Sequence, residues 1–298
     1  MELTRQSVEI LAPVGNWDVL EAAIGAGADA VYLGGKRFNM RMHRTDTNFD
    51  DEKLARAIAY AHERKVKLYV TVNNLISDRE MPGMRQYLEL LQKLQPDALI
   101  VQDLSILQLA KETGFTVPLH ASVMMNTHNE HAVRQLQAYG LTRVVTNREM
   151  TLDQLRLLKE RTGIEIEYFI HGDMCIAQSG QCIHSGVLFG QSSNRGRCLK
   201  PCRWPYQLVD AQSGDVLESG EQGPYKLALK DMCLYNHLPE LIQAGVCSFK
   251  IEGRMRTADF VSNIVHLYSS AIDRYFDDPT GYYLTEKEWQ EMQENRSR

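Results

Sequence analysis

Four cysteines, Cys175, Cys182, Cys198 and Cys202, fall within one short stretch, EYFIHGDMCIAQSGQCIHSGVLFGQSSNRGRCLKPCRWPY, which starts at Glu167. Glycines and basic residues surround them and aliphatics are few, so the segment cannot bury enough apolar surface to hold itself together. Thiolates closing on a metal or an iron–sulfur cluster would hold it. The intervals are six, fifteen and three residues. They match neither the paired spacing of a zinc finger nor a ferredoxin run. The spacing says that one loop can gather four thiolates around a common centre. Free cysteines packed as small hydrophobes are the plain alternative, which a loop rich in glycine and arginine suits poorly.

These cysteines need a scaffold, and the chain is long enough to supply one. It has 298 residues, 44% of them hydrophobic, a length that a single barrel of alternating strands and helices routinely reaches. The net charge of −5 leaves no global field to attract nucleic acid, so any such contact needs a local basic patch. The opening MELTRQSVEILAP does not read as a signal peptide, and no apolar run is long enough to span a membrane. A cytoplasmic location follows as the expectation. Reduced thiols there favour metal binding or catalysis over disulfides.

Short apolar runs alternate with amphipathic segments. The runs are Val8–Ala12, Ala30–Leu33, Lys67–Val72, Ala98–Val101, Pro118–Ser122, Arg143–Thr146, Glu165–Ile170 and, after an interruption, Ser248–Ile251. Between them, Asp51–Arg64 places Leu54, Ala57, Ile58 and Ala61 on one helical face, and Leu152–Arg161 opens behind Thr151 as an N-cap. Eight strands in this alternation predict an α/β fold, a TIM-like (β/α)8 barrel. The connection between strands seven and eight, residues 171–247, is far too long for a simple crossover and carries all four cysteines. Within it, YQLVDAQSGDVLES predicts a β-hairpin. Ala258–Tyr275 predicts the closing helix. Residues 1–278 thus form one barrel domain including the insertion, and 279–298 a polar tail, peripheral or folded as a short helix.

In such a barrel the reactive face lies at the C-terminal ends of the strands. The residues there are mostly polar or glycine: Gly34, Gly35 and Lys36; Asn73 and Asn74; Gln102 and Asp103; His120 and Ser122; Asn147, Arg148 and Glu149; His171 and Asp173; Glu252 and Arg254. This ring is the candidate site.

The run from Glu167 to Ser185 resembles the signature of the collagenase-like peptidase U-32 family. It keeps Glu167, Phe169, Gly172, Met174, Cys175, Gly180, Cys182 and Ser185, and departs at Asp173 and His184. Three more stretches are similar to the family: ILAPVGNWDVLEAAIGAGADAVYLGG near the start, NRGRCLKPCRWPY from Asn194, and LKDMCLYNHLPELIQAGVCSFKIEGRMR from Leu229. The resemblance covers nearly the whole chain, and longer members carry a further C-terminal domain. It implies a 4Fe-4S cluster on Cys175, Cys182, Cys198 and Cys202, with Cys233 as the alternative fourth ligand. Zinc is the alternative metal. It also implies oxygen-independent hydroxylation of a tRNA or rRNA pyrimidine at C5, with prephenate as the oxygen source, and an RNA partner. Hydroxylation in ubiquinone biosynthesis beside a companion subunit, and peptidase activity, are the alternatives. Either a hetero- or a homo-oligomer is compatible.

Proteolysis draws little support from the residues. There is no HExxH, and His128 and His131 suit a solvated helix face better than a zinc site. Basic residues are grouped instead. Arg195, Arg197, Lys200 and Arg203 share the cysteine loop, Arg254 and Arg256 follow strand eight, and Lys36, Arg37, Arg41, His43 and Arg44 follow strand two. Arginine grips carboxylates and phosphates with two parallel hydrogen bonds, so these groups suit phosphates or a small dicarboxylate. Arg195, Arg203, Arg254, Lys36, Arg41, Asn73, His120 and Glu252 are the candidate substrate contacts. Cys247 belongs to the core, and Trp204 and Tyr206 either pack the loop or stack a base.

Overall fold

The computed structural model describes residues 3–217 and 223–295. Eight parallel strands close on themselves: β1 (Glu9–Pro13), β2 (Ala30–Gly34), β3 (Lys67–Val72), β4 (Ala98–Val101), β5 (Leu119–Ala121), β6 (Arg143–Val145), β7 (Glu165–Gly172) and β11 (Val246–Ile251). Each pairs with its neighbour in chain order, β7 pairs with both β6 and β11, and β11 returns to β1. This is the (β/α)8 barrel, with its long insertion between β7 and β11. Strand ends differ from the apolar runs by up to two residues. β7 continues to Gly172 because the antiparallel β10 (Met232–Cys233) pairs with its last two residues, beyond the reach of the shorter β6.

Both faces of each strand are covered, which is why the strands read as apolar runs without alternation. The outer face packs on helices α1 (Trp17–Gly25), α2 (Asp51–Glu63), α3 (Met81–Leu94), α4 (Leu104–Thr113), α5 (Glu130–Ala138) and α6 (Leu152–Thr162), whose buried residues join one core with Ile10, Val31, Leu68 and Phe249. Several helices start on side chains that satisfy orphan amides. Asn16 accepts from the Val19 amide and Asp50 from Lys53, and Thr151 forms a capping box with Gln154. The lumen holds a second, smaller cluster of Leu11, Ala30, Tyr32, Tyr69, Ala98, Ile100, Val145 and Phe169.

The insertion contains a short helix α7 (His184–Phe189), the hairpin β8 (Leu208–Val209) and β9 (Val216–Leu217), then β10 and α8 (Leu238–Gln243). Glu218 and Ser219, the last residues of the expected hairpin, lie outside the described residues, as do the final three of the tail. The closing helix α9 runs from Ala258 to Asp277 and packs on α1 and β1. The tail forms α10 (Glu286–Glu294), which docks on α9 through the buried Met292 and an Arg274–Glu288 ion pair.

Charges also lie inside the barrel. Glu9 is paired with Arg143, accepts from the Tyr69 hydroxyl at 2.9 Å and from Ser248 at 2.9 Å, and meets Lys67 at 3.2 Å. Burial alone would raise the Glu9 pKa, but Arg143 and Lys67 hold it below the ordinary range. Its share of stability is therefore complete above the unfolded pKa of about 4.3 and is lost as pH falls through the lower folded value. Removing one member of a buried pair strands the other, at about 3–5 kcal/mol. Arg143→Ala should lower the urea midpoint by that much free energy at neutral pH, while Glu9→Gln with Arg143→Met should recover most of the loss.

Candidate active site

The C-terminal mouth of the barrel opens into a cavity of about 210 Å³. Its floor is Tyr32 from β2, Ile100 from β4, Phe169 from β7 and Lys250 from β11. The loop after β2 adds Met40 and Arg41, the end of β3 adds Asn73, and the turn after β5 adds Ser122, Val123 and Met124. Arg148 follows β6, Asp173, Met174 and Cys175 follow β7, and Glu252 and Arg254 follow β11. The roof is Cys198, Lys200, Cys202 and Arg203 of the insertion.

Six cationic side chains, Arg41, Arg148, Lys200, Arg203, Lys250 and Arg254, face this cavity against two carboxylates, Asp173 and Glu252. Most are already engaged. Arg41 pairs with Glu252 at 2.7 Å, and Arg148 reaches the same carboxylate at 3.9 Å from a position 4.0 Å above the Phe169 ring. Lys250 is 2.6 Å from Glu167 beneath the floor and 4.2 Å from the centre of the Tyr32 ring. Arg254 is different. It is only 4% exposed, yet its partners are neutral: the Thr47 carbonyl at 3.0 Å, Asn48 Oδ1 at 2.9 Å and Asn39 Oδ1 at 3.5 Å. Its Nε has no acceptor. Burial, together with the neighbouring Arg41, pulls its pKa down to about 10. A buried cation without a counter-ion is costly, and an anion in the cavity would relieve it.

The cysteine loop is stapled over this mouth. Asp173, one residue past β7, takes Lys200 at 2.6 Å and Arg256 at 3.3 Å, and Arg256 also meets Asp231 at 3.1 Å. Burial would raise the Asp173 carboxyl, but Lys200 and Arg256 hold it down to about 2. Arg203 donates to the Leu229 and Met174 carbonyls, each at 2.6 Å. Ser185 accepts from the Leu199 amide at 3.1 Å, and Arg195 pairs with Glu80 at 2.8 Å. Gly172 has φ +105°, and a Cβ there would sit 2.1 Å from the Glu252 carbonyl oxygen, so only glycine lets β7 and β11 end side by side.

The loop brings its thiols within electrostatic reach of one another. Burial raises the Cys202 pKa, and Cys175, Cys198 and Cys182 push it the same way against Arg203. Among the described residues no three His, Cys, Asp or Glu side chains are grouped so as to hold one metal ion. Cys233 stands apart on β10, where it hydrogen-bonds to Tyr268 of α9 beside His171. Cys247 lies on β11, half-buried, with its thiol donating to the Ile166 carbonyl and its pKa pushed up to about 11 by burial.

Of the candidate contacts, Arg41, Asn73, Arg203, Glu252 and Arg254 reach the cavity. Three do not. Lys36 points to a separate groove, Arg195 is used up in stapling the loop to Glu80, and His120 lies within the barrel against Tyr69, its pKa driven well down by burial and by Arg143. Lys250 and Tyr32 were missed because they lie within strands and read as core; Phe169 was marked only as a signature residue, and Arg148 stood in the strand-end ring without being singled out as a substrate contact. No histidine lines the cavity among the described residues, and the Ser122 hydroxyl accepts from the Met124 amide at 3.2 Å. His128 and His131 are exposed, Trp204 packs against Phe189 with ring centres 5.2 Å apart and planes tilted by 51°, and the Tyr206 hydroxyl donates to the Pro201 carbonyl at 2.9 Å.

Fold and site together define a barrel protein with a cysteine-rich cap over an anion-seeking mouth. The sequence profile described as peptidase family U32 matches residues 15–298, and the chain belongs to that family. It is 37% identical over 285 residues to "tRNA hydroxylation protein P1" of Bacillus subtilis, covering 95% of this chain and 67% of that one. It is also 37% identical over 278 residues to "23S rRNA 5-hydroxycytidine C2501 synthase" of Escherichia coli, covering 93% and 41%. "Collagenase" of Porphyromonas gingivalis is 36% identical over 278 residues, covering 90% and 66%. The chain thus spans about two thirds or less of the length of these relatives. Among the described residues no helix is long and apolar enough to cross a membrane.

If Asp173 is the clasp, Asp173→Asn should speed the reaction of the loop cysteines with a thiol reagent several-fold, with the far-ultraviolet circular dichroism unchanged. In the parent protein the same protection should persist above pH 4 and fade as pH falls toward 2, because a carboxylate depressed by cations loses its contribution only on protonation.

Proposed function

We propose that this chain carries the catalytic barrel of an iron–sulfur-dependent RNA hydroxylase, which places a hydroxyl on a tRNA or rRNA pyrimidine without molecular oxygen. The observation that carries this reading is that Cys175, Cys198 and Cys202 line the same cavity as the unpaired Arg254. The names of the Bacillus subtilis and Escherichia coli relatives point to the same chemistry.

Cys175, Cys182, Cys198 and Cys202 suit a 4Fe-4S cluster as a donor set, since each of four irons takes one thiolate. A single tetrahedral zinc would instead require the sulfurs to crowd at about 2.3 Å from one ion. Bound there on four thiolates, the cluster would supply electrons. The chain's own residues do the rest. Arg254 and Arg148, which line the same cavity, bind the carboxylates of a small dicarboxylate such as prephenate, the oxygen source. Glu252 holds Arg41 in place. Tyr32, Ile100 and Phe169 offer an apolar floor for a ring, and Lys250 stands at its edge, oriented by Glu167. The cysteine loop, clasped by Asp173, roofs the cavity against water.

Protein purified without air should be brown and contain about four irons and four sulfides per chain. Cys202→Ala should lose that content and Cys233→Ala keep it. Deleting the gene should remove a hydroxylated pyrimidine from digested RNA and leave the quinones intact. A colourless, iron-free preparation, one zinc per chain, altered quinones with unaltered nucleosides, or gelatin cleavage by metal-free protein would each overturn the proposal. Arg254→Gln should weaken dicarboxylate binding about tenfold or more, the loss of one charge-assisted hydrogen bond, as read by calorimetry.

A further inference from the structure

Two chain segments cross the barrel mouth and form a wall with a different use on each side. Met40, Arg41, Cys198 and Lys200 face the main cavity. Their neighbours Met42, His43, Arg197 and Leu199 face outward into a second groove of about 330 Å³, completed by Lys36 and Gln191. Exposure alternates along 197–200, with Arg197 and Leu199 exposed and Cys198 and Lys200 half-buried, and the chain turns at Lys200, which has φ +54°.

The groove is basic and short of acids. No carboxylate lines it among the described residues. Lys36 meets Asp50 only at 3.7 Å, with both side chains more than a third exposed, an ion pair of little worth. Arg197 has a side-chain contact with Gln191 at 3.5 Å, which is neutral. Asp46, the acid facing His43, is occupied by two nitrogens of Arg44 at 3.0 and 2.8 Å. Arg37, from the same basic string, is spent on Asp51 at 2.8 Å.

We infer that this groove seats the phosphodiester backbone of the RNA strand beside the target nucleotide, whose base enters the main cavity on the other side of the wall. The inference rests on the RNA reading above. A chain of net charge −5 repels a polyanion unless basic residues are gathered locally. Exposed cations such as Lys36 and Arg197 hold one small anion poorly, because water and salt screen them. A strand presents successive phosphates to several of them at once and releases its counter-ions in doing so. Met42 and Leu199 add apolar contact for a sugar or a base.

The test is binding of a fluorescent single-stranded RNA oligonucleotide to the air-protected, iron-loaded chain over 50–200 mM salt. Each phosphate contact on a single strand contributes a slope of about 0.7 in log K against log salt. Lys36→Ala with Arg197→Ala should flatten the slope by about 1.4, and Lys36→Ala alone, remote from the cysteines in sequence, by about 0.7. Lys36→Arg with Arg197→Lys should keep the parent slope, and iron content should be unchanged throughout. RNA binding by the parent with an unchanged slope in both alanine variants would overturn this inference and leave the hydroxylase reading standing. Failure of the parent to bind RNA at all would overturn both.

Discussion

Asp173 sits where the ends of β7 and β11 meet, and it joins the cysteine loop to the barrel. Lys200 comes to it from the loop and Arg256 from the segment after β11. Without such a tether the loop has little reason to lie over the mouth, since it holds few buried apolar residues of its own. Ile183, Val187 and Leu188 of the loop are more than half exposed. Polar clasps therefore do for the cap what apolar burial does for the barrel. The sequence marks Asp173 as a departure from the family signature and as one of many residues at the strand ends, yet it is the central anion of the cap.

The same economy runs through the rest of the signature. Glu167 orients Lys250 at the cavity floor, and Phe169 carries Arg148 on its ring. Gly180 has φ +74° and lies against the Met124 carbonyl, where a Cβ would come within 2.5 Å. Ser185 caps the Leu199 amide. These residues shape and hold the roof more than they act on a substrate. The groups free to act are Arg254, whose Nε lacks an acceptor, and the loop thiols of Cys175, Cys198 and Cys202, which line the cavity.

The eight strands and the helices between them were legible because each obeys a local rule: an apolar run covered on both faces, a 3.6-residue stripe, a capping side chain. The insertion was legible as an interruption but not as a structure. Its position depends on ion pairs and hydrogen bonds between residues more than twenty apart, such as Lys200 with Asp173 and Arg203 with Met174. Basic residues were easy to find and hard to sort. Of the string after β2, Arg41 turns into the cavity, Lys36 and His43 into the outer groove, and Arg37 and Arg44 to surface acids.

From its amino acids alone this chain declares a barrel, a cysteine-bearing interruption and a polar ring at the strand ends, because hydrophobic periodicity and residue type are local properties. Folding decides which charges are left over. Arg195 and Arg254 look alike as letters, but one finds Glu80 and the other finds only neutral oxygens in a buried place. Charge balance is a property of neighbours in space, and only the closed barrel with its cap brings those neighbours together.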